Sequence, residues 1–287
     1  MRIAVMSDVH GNYLALKACL DYIGNNQVDY LIYLGDYITD YPSPEKTLNL
    51  MKSSMQQYPT SIVKGNREDY ILSAIENKTY INWEKSSMNG MLLCTYQKLS
   101  YDDIEFMKAM PSVTYCRLDG CAPIMIAHKS PIYDSYYLNK YKKQILENID
   151  TKYLLIGHTH SPMSECFENK YIYNPGSVGM VSDGSKKAQL MFLDWSRHHW
   201  KETFIKVDYD YQKMAIDCLD ENTITYGKQW SIANIKNLFT GRGESTLLYR
   251  EAWNIANGAL LEEMHYEVAS EQLKNNIWFD DFIKMIK

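Results

Sequence analysis

Arg2-Ile3-Ala4-Val5-Met6-Ser7-Asp8-Val9-His10-Gly11 is the stretch from which the fold can be read. Residues 2–6 are apolar and β-prone, and a carboxylate and an imidazole follow two positions apart. A strand running into a loop would present both from one sheet edge, because residues i and i+2 of an extended chain point the same way. Asp8 and His10 could then grip one metal ion. A helix N-cap at Asp8 beside an incidental histidine fits the same ten residues, so the rest of the chain has to decide.

Residues 12–24 carry Leu14, Leu16, Cys19, Leu20 and Ile23 at helical spacing, with Gly24 as a stop. Residues 29–34 then read as a buried strand that delivers Gly35-Asp36 into the next loop. Strand, helix, strand is the mark of a largely parallel sheet, whose ligands gather beyond the carboxyl ends of the strands. The layout repeats. After a proline-containing loop at 37–44 and a helix at 45–57, a strand at 61–64 ends in Gly65-Asn66-Arg67-Glu68, with a helix starting near Glu68. Residues 70–110 read as a helical insert. Strands at 113–118 and 123–127, joined through Asp119-Gly120, reach His128. A helix at 138–148 precedes a strand at 153–156 that ends in Gly157-His158-Thr159-His160. A hairpin at 165–174 leads to Asn174-Pro175-Gly176-Ser177-Val178-Gly179, and two more strands are expected at 187–194 and 199–207.

Beyond about 210 the pattern is helical and holds no ligand cluster. Gly241-Arg242-Gly243-Glu244 invites a phosphate-cradle reading, though an isolated glycine pair is weak evidence. The last helices could cover a sheet edge, shape a pocket or support an oligomer. The expected organisation is a first unit at 1–208, with its insert at 70–110, and a helical C-terminal extension at 209–287.

Composition bounds the function. The chain has 287 residues, 46% hydrophobic and 23% charged, enough for a substantial core and unlike a disordered protein. A net charge of −5 without a long basic run argues against bulk nucleic-acid binding. Six cysteines without a C-x-x-C pair read as reduced, mostly buried thiols. No signal-peptide pattern opens the chain, and no apolar run reaches the ~18–20 residues that span a bilayer, so a cytoplasmic protein is expected. Most of the 24 tyrosines read as packing residues.

Four of seven histidines, His10, His128, His158 and His160, fall in strand-end loops, together with Asp8, Asp36 and Asn66. His198, His199 and His265 lie outside this pattern. Seven oxygen and nitrogen donors at strand ends point to a metal site. In this order, Asp8-x-His10, Gly35-Asp36, Gly65-Asn66-Arg67-Glu68, His128 and Gly157-His158-x-His160 resemble the calcineurin-like metallophosphoesterase superfamily, nearest to its small bacterial phosphodiesterase-type branch. The likeness runs over roughly residues 1–208. It implies an α/β fold, a four-layer α/β/β/α sandwich, holding two divalent transition-metal ions. Manganese is favoured, with iron or zinc as other choices. By the resemblance, one ion takes Asp8, His10 and His160, the other takes Asn66, His128 and His158, and Asp36 bridges them.

Two carboxylates against two divalent ions would leave a net positive site, suited to a phosphate ester. Paired ions ~3.5–4 Å apart can share a hydroxide and bind phosphoryl oxygens during in-line displacement. The implied function is hydrolysis of a phosphodiester or nucleotide-like phosphate by a metal-bridging hydroxide. Phosphomonoester or protein-phosphatase activity is the neighbouring alternative, a non-catalytic scaffold on the same fold a more distant one, and a metal-dependent redox protein has no support beyond the donors. The family often places histidine after the asparagine ligand, where this chain has Arg67. Its guanidinium is a poor acid but a good phosphate clamp, so Arg67 is expected to bind substrate with Asn66 and Tyr37 and to act in catalysis with Asn66 and Asp36. A surface ion pair of Arg67 with Glu68 or Asp69 is the competing reading. Tyr37, Tyr41 and the insert are expected to line the entrance.

Overall fold

A computed structural model describes residues 1–79, 83, 87–131 and 138–255. The expectations placed on residues 256–287, including His265 and the face for an oligomer, lie outside the described residues, as do parts of the 70–110 insert.

The first half alternates β1 (Arg2–Met6), α1 (Tyr13–Gly24), β2 (Tyr30–Tyr33), α2 (Pro44–Gln57), β3 (Thr60–Ile62) and α3 (Asn66–Asn77). Helices α4 (Ser87–Tyr96) and α5 (Tyr101–Lys108) follow. Then come β4 (Val113–Cys116), β5 (Ile124–Ala127), α6 (Leu138–Asn148), β6 (Tyr153–Leu155), β7 (Met163–Phe167) and β8 (Lys170–Asn174). The long hairpin β9 (Ala188–Ser196) and β10 (His199–Val207) leads to α7 (Tyr211–Asp220), α8 (Thr223–Thr240) and α9 (Glu244–Ile255).

Among the described residues the strands form two five-stranded sheets, in the orders β10-β9-β1-β2-β3 and β4-β5-β6-β8-β7. β1, β2 and β3 run parallel, as do β5, β6 and β8. The sheets are mixed because β9 pairs antiparallel with β1, and β4 with β5. Alternation along β1 explains the layering. Ile3 and Val5 join Ile32, Ile124, Ile126, Leu155 and Leu193 in a core between the two sheets. Ala4 and Met6 face the opposite way, into a core with Leu16 and Ile23 of α1 and Leu48 and Met51 of α2. On the far side of the second sheet, Leu154 and Ile172 meet Ile145 and Leu146 of α6. Helix, sheet, sheet, helix is the four-layer arrangement expected. With each large aliphatic worth ~1.5–3 kcal/mol on full burial, these three apolar layers fix which edges of the sheets meet.

The helix starts follow local chemistry. Asn12 caps α1 by accepting the Ala15 N–H at 3.1 Å. Pro44 opens α2, where no intrahelical N–H is needed. Helix α3 begins at Asn66, earlier than the expected Glu68, because Glu68 folds back to accept the Gly65 N–H at 2.7 Å. In the insert, Leu92, Leu93 and Met107 join the core beneath the first sheet, and α3 and α4 enclose a cavity of about 380 Å³ lined in part by Tyr70, Trp83 and Leu92.

Helices α7 and α8 pack on the body of the molecule. Met214, Ala215, Cys218, Ile235 and Leu238 cluster with Tyr41 of the β2–α2 loop and Met180 of the β8–β9 loop. All six cysteines are unpaired thiols, four of them buried. No helix among the described residues is long and apolar enough to cross a membrane.

Candidate metal centre

The seven donors arise at the carboxyl ends of strands from both sheets. Asp8 and His10 follow β1, Asp36 follows β2, and Asn66 follows β3. His128 follows β5, and His158 and His160 follow β6. Five of them, Asp8, His10, Asp36, His158 and His160, have φ between +55° and +67°. Non-glycine residues rarely adopt this left-handed region, although Asp, Asn and His tolerate it best. The chain therefore reverses sharply at each strand end. This corrects one expectation: Asp8 and His10 converge through two left-handed turns, not by the alternation of an extended strand. Such conformations persist where the surroundings over-determine them, commonly at functional sites.

Close backbone approach draws the loops together. A Cβ on Gly65 would collide with Asp36 Oδ1, and one on Gly157 with Ser7 Oγ. Hydrogen bonds then join the strand ends, first within the second sheet and then across to the first. The Gly157 N–H donates to His128 O at 2.8 Å, and the His158 N–H donates to Asp8 Oδ2 at 3.0 Å.

Two groups of side chains result. Ligand atoms of Asp8, His10 and His160 lie within 4.8 Å of one another, and so do those of Asp36, His128 and His158. His160 Nε2 is 3.3 Å from Asp8 Oδ1, and His10 Nε2 is 3.0 Å from His160 Nε2. In the second group, His128 Nε2 is 3.2 Å from His158 Nδ1 and 3.1 Å from Asn66 Oδ1. Asp36 touches both groups through one oxygen: its Oδ2 lies 3.9 Å from His10 Nε2 and 3.4 Å from His128 Nε2.

The far ring nitrogens settle what the near ones offer. His128 Nδ1 donates to the Leu34 carbonyl at 2.7 Å, and His10 Nδ1 donates to Asp40 Oδ2 at 2.9 Å. An Nδ1–H on each leaves the Nε2 lone pair facing the centre, as metal-binding histidines require. Two carboxylates, an amide oxygen and four imidazoles with converging lone pairs repel one another unless a cation or protons lie among them. The donor set thus fits two borderline divalent ions.

Electrostatics agree with this. Burial works against ionisation of Asp8, but His160 and His128 outweigh it and hold the carboxyl down to about 2. Asp36 is held well below the usual range in the same way, by His128, His10 and Arg67 against the cost of burial. Burial disfavours charge on His128 too, yet Asp36 and Asp8 push it up to about 9. Burial and the neighbouring His128 push His158 down to about 4.

Other residues occupy places the sequence did not reveal. Glu68 is fully buried and accepts N–H donors from Gly65, Asp36 and Tyr37, which clamps the Asp36 turn onto α3. Burial and Asp36 raise its carboxyl to about 7. Asp40, 2% exposed, supports His10. Both carboxylates stood within expected loops or turns and carried no periodic signal that set them apart.

Arg67 is not on the surface and does not pair with Glu68 or Asp69. Its Nη2 lies 3.2 Å from Asp40 Oδ2, while Asp69 pairs with Lys64 at 2.9 Å. Its Nε is buried with no hydrogen-bond partner, and the guanidinium side chain is 12% exposed. Tyr37 and Tyr41 do not line the entrance. Both are 0% exposed, with Tyr37 Oη bonded to Val63 O and Gly35 N, and Tyr41 Oη bonded to Asn234 O. The strand-end turn folds them inward onto the core. The Gly241–Glu244 loop makes no phosphate cradle, because Asn237 Oδ1 already accepts the N–H groups of Gly243 and Glu244.

The model of the calcineurin-like phosphoesterase superfamily domain matches residues 1–197 of the sequence. The chain belongs to this superfamily. All seven donors of the candidate centre lie inside the matched residues. An uncharacterized protein of Methanocaldococcus jannaschii is 26% identical over 229 residues, covering 74% of this chain and 89% of that one. In structure, the chain is similar to a hypothetical protein of Pyrococcus horikoshii, with a TM-score of 0.70 and 19% identity, over 84% of this chain and 98% of that one. It is also similar to a metallophosphoesterase of Sphaerobacter thermophilus, with a TM-score of 0.64 and 22% identity, over 84% of this chain and all of that one. At these identities the two structures speak for the shared fold.

Proposed function

We propose that the chain is a two-metal phosphoesterase that hydrolyses a phosphodiester or a nucleotide-like phosphate. The observation that carries this reading is the position of Asp36 Oδ2, shared between a group of Asp8, His10 and His160 and a group of Asn66, His128 and His158. Asp8, His10 and His160 would hold one ion, Asn66, His128 and His158 the other, and Asp36 both. Divalent ions at such a pair of sites supply Lewis acidity to phosphoryl oxygens and make a water-derived nucleophile available near neutral pH.

The chain's own residues do the rest. The left-handed turns at Asp8, His10, Asp36, His158 and His160 fix the donors before substrate arrives. Glu68 anchors the backbone at Asp36 and Tyr37, and the Arg67 N–H donates to Asp36 Oδ1 at 2.8 Å, which holds the shared carboxylate in place. Arg67 holds Nη2 against Asp40 at 3.2 Å beside the Asn66 position, and its guanidinium fork would clamp a phosphoryl oxygen. Asn66 stands beside Arg67 at the start of α3 and would contact the same phosphate.

Purified chain loaded with manganese tests the reading against bis-p-nitrophenyl phosphate and p-nitrophenyl phosphate, followed by nucleotides, cyclic nucleotides, dinucleoside polyphosphates and phosphopeptides. Metal-dependent cleavage of the diester in preference to the monoester is expected. Preference for the monoester would shift the substrate class, and no cleavage of any ester would contradict the proposal.

A further inference from the structure

Asp40 lies four residues beyond Asp36 and accepts hydrogen bonds from both halves of the molecule. Its Oδ2 takes the His10 Nδ1–H at 2.9 Å and the Thr39 hydroxyl at 3.0 Å, with Arg67 Nη2 at 3.2 Å. Its Oδ1 takes the indole N–H of Trp230 at 2.6 Å and faces the Asn234 amide nitrogen at 3.4 Å. Trp230 and Asn234 both belong to α8, past the last residue that the family model matches. Trp230 also holds its ring 5.8 Å from the Arg67 guanidinium.

A buried carboxylate with a backbone φ of +70° has to be held by its partners. Here two of those partners, Trp230 and Asn234, come from α8. On the other side of the carboxylate, the His10 ring is fixed in the tautomer that turns Nε2 toward Asp8 and His160. A carboxylate behind a metal-binding imidazole orients the ring and raises its basicity. The second group is supported differently, since His128 Nδ1 donates to the Leu34 carbonyl.

We propose that Asp40 is a positioning residue for His10, and that Trp230 and Asn234 of α8 hold Asp40 in that role. Helix α8 is then a working part of the Asp8–His10–His160 group. This inference rests on the two-metal reading above, and it goes further by predicting that α8 governs one ion and not the other.

The test is manganese titration of the full chain by calorimetry, with urea midpoints measured alongside. Trp230→Phe removes the indole N–H while keeping an aromatic ring, and Asp40→Asn removes the charge at constant volume. Both should weaken one of two bound ions by about 10- to 100-fold, the usual cost of losing such a supporting partner, and leave the other ion in place. Unchanged affinity for both ions overturns the inference. So does equal weakening of both ions in step with a lowered urea midpoint, which is the signature of a merely structural role. Should Trp230→Phe not fold, Asp40→Asn decides by the same criteria. A wild-type chain that binds no manganese is a different result: it removes the two-metal reading itself.

Discussion

The imidazole of His128 and the carbonyl of Leu34 are joined at 2.7 Å, which ties the end of β5 in one sheet to the end of β2 in the other. The bond does two things at once. It closes the two sheets at the edge where the donors gather, and it commits the His128 proton to Nδ1. With Asp36 Oδ2 at 3.4 Å from Nε2, the free chain holds a second proton on this ring.

That proton gives a pH signature. The His128 pKa rises from an ordinary ~6.5 to about 9 in the folded chain. In the metal-free protein its contribution to stability is complete below about pH 6.5 and is lost as pH rises through about 9. A cation must displace the same proton, so affinity at this group should rise with pH up to about 9 and binding at neutral pH should release a proton. Calorimetric titrations in two buffers of different ionisation heat measure the release. Binding without proton release would contradict a protonated His128 in the metal-free centre.

Arg67→Ala should lower kcat/KM by about 10- to 100-fold, the worth of a hydrogen bond to a charged group at about 1.5–3 kcal/mol, with both metals retained. Arg67→Lys keeps a positive charge beside Asp40 but not the planar fork, and should lose turnover while also keeping its metals. Steady-state kinetics and elemental analysis of the same samples check both. Unchanged kinetics would remove Arg67 from the substrate site.

Tyr37→Phe should lower stability by about 1–3 kcal/mol, because the Gly35 N–H and the Val63 carbonyl both lose a buried partner. KM should stay as it was, since the ring lies wholly inside. Denaturant unfolding with kinetics on the folded fraction tests this. A raised KM at unchanged stability would return Tyr37 to the entrance.

The strand-end logic was legible in the sequence because it depends on local pattern. An apolar run, then Asp8-x-His10, Gly35-Asp36, Gly65-Asn66 or Gly157-His158-x-His160, marks a parallel sheet and its ligand edge together, and the order of these motifs named the family. Tyr37 follows Asp36 directly, but position in a loop says nothing about which way a left-handed turn sends the next side chain. The roles of Asp40 and Glu68 leave no mark in the sequence because their partners are distant in it or are backbone N–H groups. The bond between Asp40 and Trp230 spans 190 positions, and no periodicity could announce it. Trp230 and Asn234 lie in a span that reads in sequence only as helical, and nothing local ties them to the β2–α2 loop that the fold sets against them.

Shared coordination through Asp36 carries the whole account, and manganese counting with ester hydrolysis on the wild-type chain and Asp36→Asn tests it directly. The wild type should bind two ions per chain and cleave bis-p-nitrophenyl phosphate only when they are present. Asp36→Asn should lose tight binding of both ions and cleave at least about 100-fold more slowly, as expected when a charged group central to transition-state stabilisation is removed. Two ions bound and undiminished cleavage in Asp36→Asn, or a fully loaded wild type that cleaves no ester, would contradict it.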